Sequence, residues 1–331
     1  MKKIMITLVA ALIIIASAVA FKNVYSCEMP IRNRGIRDAI NTGDLDVLFI
    51  GSSTFRANVD MPMMDEAYDG RVYDISYGGN QLVATAIQYD EIRRRSPNDY
   101  GLIVFELGPM MITQEVALSD SRVIWDLTWE GKKALWQSMY EAGNTDFPMF
   151  YEYFVTSGMD DLITFPVTEP FYGTRYYKGA KNEETPSPGR EWLEGEDFDI
   201  SDKESVPAQA DAIKDIVDEC RRDGQDFIFV ESPCYYRLQD DPTFQKYKAE
   251  FVDILDGLDA PYILASDVEF DTHDAALFQD MNHMSAEGRR AYTKELIRVL
   301  GNVKQDMKTA DRHKESAASG PTYDKKRRGE K

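Results

Sequence analysis

Histidine and cysteine are scarce in this chain, three of each in 331 residues, and positive charge is in deficit. With 38 Lys/Arg against 57 Asp/Glu, the net charge of -19 argues against a nucleic-acid binder, which would need a basic face for the phosphate backbone. Cys27, Cys220 and Cys234 are too few for a disulfide framework; a Cys220–Cys234 bridge flanking a strand is the most they offer. Phosphate and dinucleotide signatures are missing as well. No G-x-x-x-x-G-K-[ST] follows Gly51, and Ser76-Tyr77-Gly78-Gly79 does not extend to G-x-G-x-x-G. There is no H-E-x-x-H and no paired-cysteine spacing. Asp271, His273, Asp274, Asp280 and His283 have the chemistry for Zn²⁺ or Mn²⁺, but their spacing does not support such a site. No cofactor or metal is called for.

What is present starts with a targeting segment. Lys2 and Lys3 precede an uncharged run, Ile4 to Ala20, that ends in Ala18-Val19-Ala20, a pattern a signal peptidase cuts. The run is also at the lower length limit for a spanning helix. A cleaved signal and a retained anchor both fit residues 1–22, the anchor being favoured. In either case the lysines stay on the cytoplasmic side and the remainder lies outside. Cys27 is separated from the run by Phe21 to Ser26, which suits a lipidation site poorly.

Hydrophobic residues make up 43% of the chain and can supply a sizeable core. Short apolar runs alternate with amphipathic stretches, the pattern of a parallel sheet covered by helices. Strands are expected at 47–50, 71–75, 102–105, 227–230 and 262–264. Helices are expected after residue 82, where Leu82, Ala86, Tyr89 and Ile92 recur at helical spacing, and over 208–221, 243–258 and 285–300. Ser285 would cap the last and Gly301 would stop it. This domain spans 45–302. Residues 112–205 break the rhythm, with all four tryptophans (Trp125, Trp129, Trp136, Trp192) and 19 Asp/Glu against 8 Lys/Arg. They read as an insertion or cap at the carboxyl end of the sheet, its aromatics packing it down more readily than stacking on sugars. Residues 303–331, with nine Lys/Arg and five Asp/Glu, read as a disordered polar tail.

Ligands bind open α/β sheets where strands end, and three of the five strand ends hold residues that acyl chemistry needs, although a serine in such a turn also serves as a plain helix cap and a histidine at a helix start as a surface residue. In Gly51-Ser52-Ser53, a hydroxyl between a strand and a helix N-terminus meets backbone N–H donors suited to a developing oxyanion. Gly51 permits the tight turn. In Asp280-Met281-Asn282-His283, a carboxylate three residues before a histidine can fold back onto Nδ1, freeing Nε2 to accept a proton from serine. With His313 in the tail and His273 in an Asp-rich loop, His283 is the best general base.

Gly51-Ser52-Ser53 after the first strand, Asp280-x-x-His283 before the last helix, and the following Gly288 resemble the SGNH/GDSL hydrolase superfamily. The likeness extends over roughly 46–300 apart from the insertion. It is greatest to exported members that work beside membrane-bound O-acyltransferases, the D-alanyl transfer and alginate acetylation proteins. The resemblance implies a three-layer α/β/α flavodoxin-like fold with about five parallel strands. It implies Ser53 as nucleophile, His283 and Asp280 as its partners, and the N–H groups of Ser53 and Gly79 as the oxyanion hole. An acyl-ester hydrolase or O-acyltransferase, acetyl the expected group, would then act on envelope polysaccharide with a membrane-bound O-acyltransferase as partner. One block departs from the family. Its Gly-x-Asn becomes Gly108-Pro109-Met110 here, and a thioether cannot donate a hydrogen bond. That departure keeps open a different class, a non-catalytic glycan-binding or scaffold subunit of such a complex.

Overall fold

The computed structural model describes residues 2–28, 35–117, 123–124, 127–151, 176–181, 183–195 and 198–318, with side chains over 4–18 of the first stretch and up to 303 in the last. Five parallel strands form one sheet: β1 (Val47–Ile50), β2 (Val72–Asp74), β3 (Ile103–Glu106), β4 (Phe227–Val230) and β5 (Tyr262–Ile263), in the order β2-β1-β3-β4-β5. Each of the four residues of β1 is fully buried, because helices cover both faces and a parallel strand then has no polar side.

The alternation of side chains along the strands sorts the core into two halves. Leu48, Ile50, Ile103, Phe105 and Phe229 face one helical layer. Its members are α2 (Ile36–Thr42), α5 (Leu82–Arg95), α8 (Pro207–Asp223) and α9 (Pro242–Gly257). Val47, Phe49, Val104, Ile228 and Val230 face the other layer. This one contains α3 (Ser53–Asn58), α4 (Met61–Ala67) and α10 (Ala286–Ala318). The result is the expected three-layer α/β/α fold with a five-stranded parallel sheet. Each turn from β1 into α3 and from β2 into α5 delivers its loop to the carboxyl edge of the sheet.

The insertion contributes α6 (Trp129–Glu141), α7 (Arg190–Gly195) and a hairpin of Tyr176–Tyr177 with Ala180–Lys181. Leu127, Leu135, Met139 and Leu193 anchor it to the α5/α8 side of the core. Two of its tryptophans depart from the expectation that they pack the insertion down. Trp129 and Trp192 are 64% and 48% exposed, and Trp136 meets Phe150 edge to face; Trp125 lies outside the described residues.

Two further expectations change. Ser285 does cap α10, accepting the Gly288 N–H at 3.1 Å, but the helix runs through Gly301 to Ala318 instead of stopping there. One interior glycine costs only about 1 kcal/mol and does not by itself end a helix. The one bridge the cysteines could have offered is not formed: Cys220 and Cys234 are buried free thiols. Burial in apolar surroundings pushes the Cys220 thiol up to about 12 and Cys234 higher than usual too.

At the amino end α1 (Lys2–Glu28) is a 27-residue helix whose apolar side chains, Ile4, Leu12 and Ile14 among them, are about two-thirds exposed. Among the described residues no helix is long and apolar enough to cross a membrane, the side chains of α1 being described only over 4–18.

Candidate active site

β1 ends at Ile50, and three residues later α3 begins. Ser52 caps it, its hydroxyl accepting the Thr54 N–H at 3.3 Å, which leaves Ser53 as the first helical residue. The turn is fastened from the next strand. Glu106, the last residue of β3, accepts the Ser52 N–H on Oε2 and the Ser52 hydroxyl on Oε1 at 2.9 Å. A Cβ on Gly51 would meet Glu106 Oε2 at 2.6 Å and Glu106 Cβ at 2.8 Å. Glycine is therefore needed for this close approach, not for an unusual turn as the sequence suggested. Burial raises the Glu106 carboxyl above its ordinary range, while the bonds from Ser52 and Thr54 pull it back.

The histidine arrives from the opposite end of the chain. Phe278 and Met284 form an isolated antiparallel bridge, and the loop between them closes with Gln279 N–H donating to the His283 carbonyl at 2.8 Å. Asp280 Oδ1 accepts the backbone N–H groups of Asn282 at 3.0 Å and His283 at 2.8 Å. The His283 ring then folds over the same carboxylate, with Nδ1 2.8 Å from Asp280 Oδ2. A carboxylate can only accept, so the Nδ1 proton is directed at Asp280 and Nε2 is left as the acceptor. Nε2 lies 2.9 Å from Ser53 Oγ, across 230 residues of sequence. Desolvation would raise Asp280, but the hydrogen bonds and charge of His283, with the two backbone N–H groups, outweigh it and hold the carboxyl below its usual value.

Asn58, the last residue of α3, joins the two stretches directly. Fully buried, it donates from Nδ2 to the Asn282 carbonyl at 3.0 Å and accepts the Met284 N–H on Oδ1 at 2.8 Å. The helix that begins at Ser53 thus ends by gripping both residues that flank His283.

The second predicted block comes to the same place. Tyr77 N–H and Asn80 Nδ2 both donate to the Gly51 carbonyl at 3.1 Å, so the loop after β2 is tied to the turn after β1. Gly79, with φ of +61°, lines a cavity of about 240 Å³ together with Ser53, Met110, Ser232 and Phe244. Met110 does occupy this wall, 37% exposed and without a donor.

Ser53, His283, Asp280 and Gly79, the four residues singled out from the sequence, are therefore brought to one site. His273 is not among them; its ring stacks on Tyr236 at 4.4 Å. Among the described residues no group of three His, Cys, Asp or Glu side chains is placed to hold a metal ion. Two contributors escaped sequence reasoning. Glu106 lies one residue beyond the strand expected at 102–105, with nothing local to mark its role, and Asn58 carries no local signal at all.

No family model matches the chain, and no curated protein does. Among solved structures it is similar to a Bacteroides fragilis protein provisionally assigned as an acylhydrolase, at 11% identity and a TM-score of 0.40, over 81% of this chain and 95% of that one. It is also similar to a Streptococcus pneumoniae protein provisionally assigned as a platelet activating factor, at 11% identity and a TM-score of 0.41, over 88% and 99% of the two chains. At that identity and score the likeness says nothing about activity.

Proposed function

We propose that this protein is a serine-dependent acyl-ester enzyme of the SGNH type. The observation that carries the reading is the continuous chain of contacts from Asp280 through the His283 ring to Ser53 Oγ. An ionised Asp280 orients the ring and favours the imidazolium that forms during the reaction. Ser53 Oγ attacks the acyl carbonyl carbon as its proton passes to His283 Nε2, and the carbonyl electron pair moves onto oxygen. The N–H groups of Ser53 and Gly79 receive that oxyanion in this scheme, helped by the positive end of α3. Collapse expels the alkoxide, which takes the proton from His283. Water or an acceptor hydroxyl then repeats the sequence on the acyl-serine and restores Ser53.

Met110 at the third wall bears on the rate. Lacking one oxyanion donor typically costs on the order of 10²–10³ in turnover, which favours a dedicated transferase supplied by a partner over a fast general esterase. The uncharged run in α1 supports an extracytoplasmic, membrane-tethered location. Resemblance in the Ser53 and His283 blocks supports an envelope glycan as acceptor and a membrane-bound O-acyltransferase as donor partner. Release or transfer of acyl groups from model esters and glycans, compared for wild type and Ser53→Ala, tests the proposal. Turnover that survives Ser53→Ala would remove Ser53 from the mechanism. Glycan binding without turnover would favour the scaffold reading instead.

A further inference from the structure

The cavity beside Ser53 is larger than an acetyl group requires, and two of its walls are apolar. At roughly 30 Å³ for a water-sized group, its volume of about 240 Å³ holds about eight such groups. One wall is built from Leu107, Met110 and Met111 after β3, and another from Cys234, Leu238 and Phe244 after β4. Several of the polar groups that share the lining are engaged within the protein, while Asn80 Oδ1 is buried without a partner among the described residues. Glu106 takes both Ser52 donors, and the Asn80 amide donates to Gly51, Thr85 and Gln88. The two apolar walls fit an alkyl chain, whose transfer out of water onto them is favourable.

Resting on the reading of Ser53 as nucleophile, we propose that this cavity is an acyl-chain pocket selecting linear acyl groups of about four to eight carbons over acetyl. The acyl carbonyl sits at Ser53, its chain runs between the Met111 and Leu238 walls, and the alcohol portion leaves toward solvent. Two methionines suit such a wall, since an unbranched thioether adapts to chains of different length. Gly108 sets the width: a Cβ there would lie 2.5 Å from Met111 Sδ, so a side chain would push Met111 into the space.

The test uses n-alkyl fluorophosphonates, whose phosphorus bonds to Ser53 Oγ as fluoride leaves and whose alkyl chain occupies the acyl position. Second-order labelling rates are followed by mass spectrometry on the full chain. Wild type should label faster by about fourfold per added methylene from methyl to about hexyl. Gly108→Ala should move the optimum to shorter chains. Met110→Trp, at a half-exposed position that tolerates size, should do the same and stands in if Gly108→Ala does not fold. Ser53 labelled equally fast or fastest by the methyl probe would overturn the pocket while leaving the nucleophile intact. No label at Ser53 with any probe would overturn the nucleophile, and the pocket with it.

Discussion

Replacing Asn58 by alanine should separate the two halves of the site without touching a reacting atom. The side chain is fully buried, and its two hydrogen bonds hold the backbone on either side of His283. Each bond is worth about 0.5–1.5 kcal/mol net, and the Met284 N–H and Asn282 carbonyl left behind are stranded in a closed site. Together these predict a loss of ~2–4 kcal/mol. The loop that carries the imidazole would also loosen, and a displacement of about 1 Å in a reacting pair can cost roughly 10²-fold in rate. Urea unfolding gives the first quantity, and the labelling rate of Ser53 with a fluorophosphonate gives the second. Leu296→Ala is the control: it removes a fully buried side chain from the same half of the core. It should cost ~2–5 kcal/mol while labelling at the wild-type rate. If Asn58→Ala loses the same stability yet labels as fast as wild type, Asn58 is a structural residue only and the coupling argued here is wrong.

Other consequences concern the buried titrating groups. Asp74, at the end of β2, is fully buried, and desolvation lifts its carboxyl from 3.8 to about 6 despite the hydrogen bonds from Ser76 and the charge of Arg56. The folded protein therefore keeps a proton that the unfolded chain releases. Stability from this group is complete at low pH and is lost as pH rises from about 4 to about 6, a change of roughly 2–3 kcal/mol. Asp74→Asn should flatten the profile of urea midpoints across that window, and an unchanged slope would assign it to other groups. Asp280 has the opposite sign: its lowered carboxyl stabilises the fold above the ordinary carboxylate range, an effect lost as pH falls through the lowered value. Cys220 and Cys234 should both resist alkylation in the native protein and both react in urea without reductant; a native disulfide would block them in either condition.

The sheet was legible because strands buried on both faces read as unbroken apolar runs, Val47-Leu48-Phe49-Ile50 and Phe227-Ile228-Phe229-Val230 being the clearest. The candidate site was legible because Ser53 follows the end of β1 and an Asp-x-x-His pair stands just ahead of the last helix, two blocks in a recognisable order. What was hidden depends on contacts between distant segments. Glu106 is an acid at a strand end, which in sequence reads as solvated; only the approach of β3 to the turn after β1 makes it an acceptor for Ser52. Asn58 looks like any polar residue in a short helix until Asn282 and Met284 are beside it. The exposed Trp129 and Trp192 were misjudged for a related reason: aromatic content predicts burial on average but carries no information about which side of a helix faces out.

The account stands on a serine hydroxyl made nucleophilic by a histidine 230 residues away. Mass spectrometry of the protein after a short exposure to hexyl fluorophosphonate tests that most directly. Wild type should gain a single adduct on Ser53, Ser53→Ala none, and His283→Ala an adduct that forms at least a hundredfold more slowly. An adduct elsewhere, or one that forms on Ser53 at the same rate without the imidazole, would contradict it.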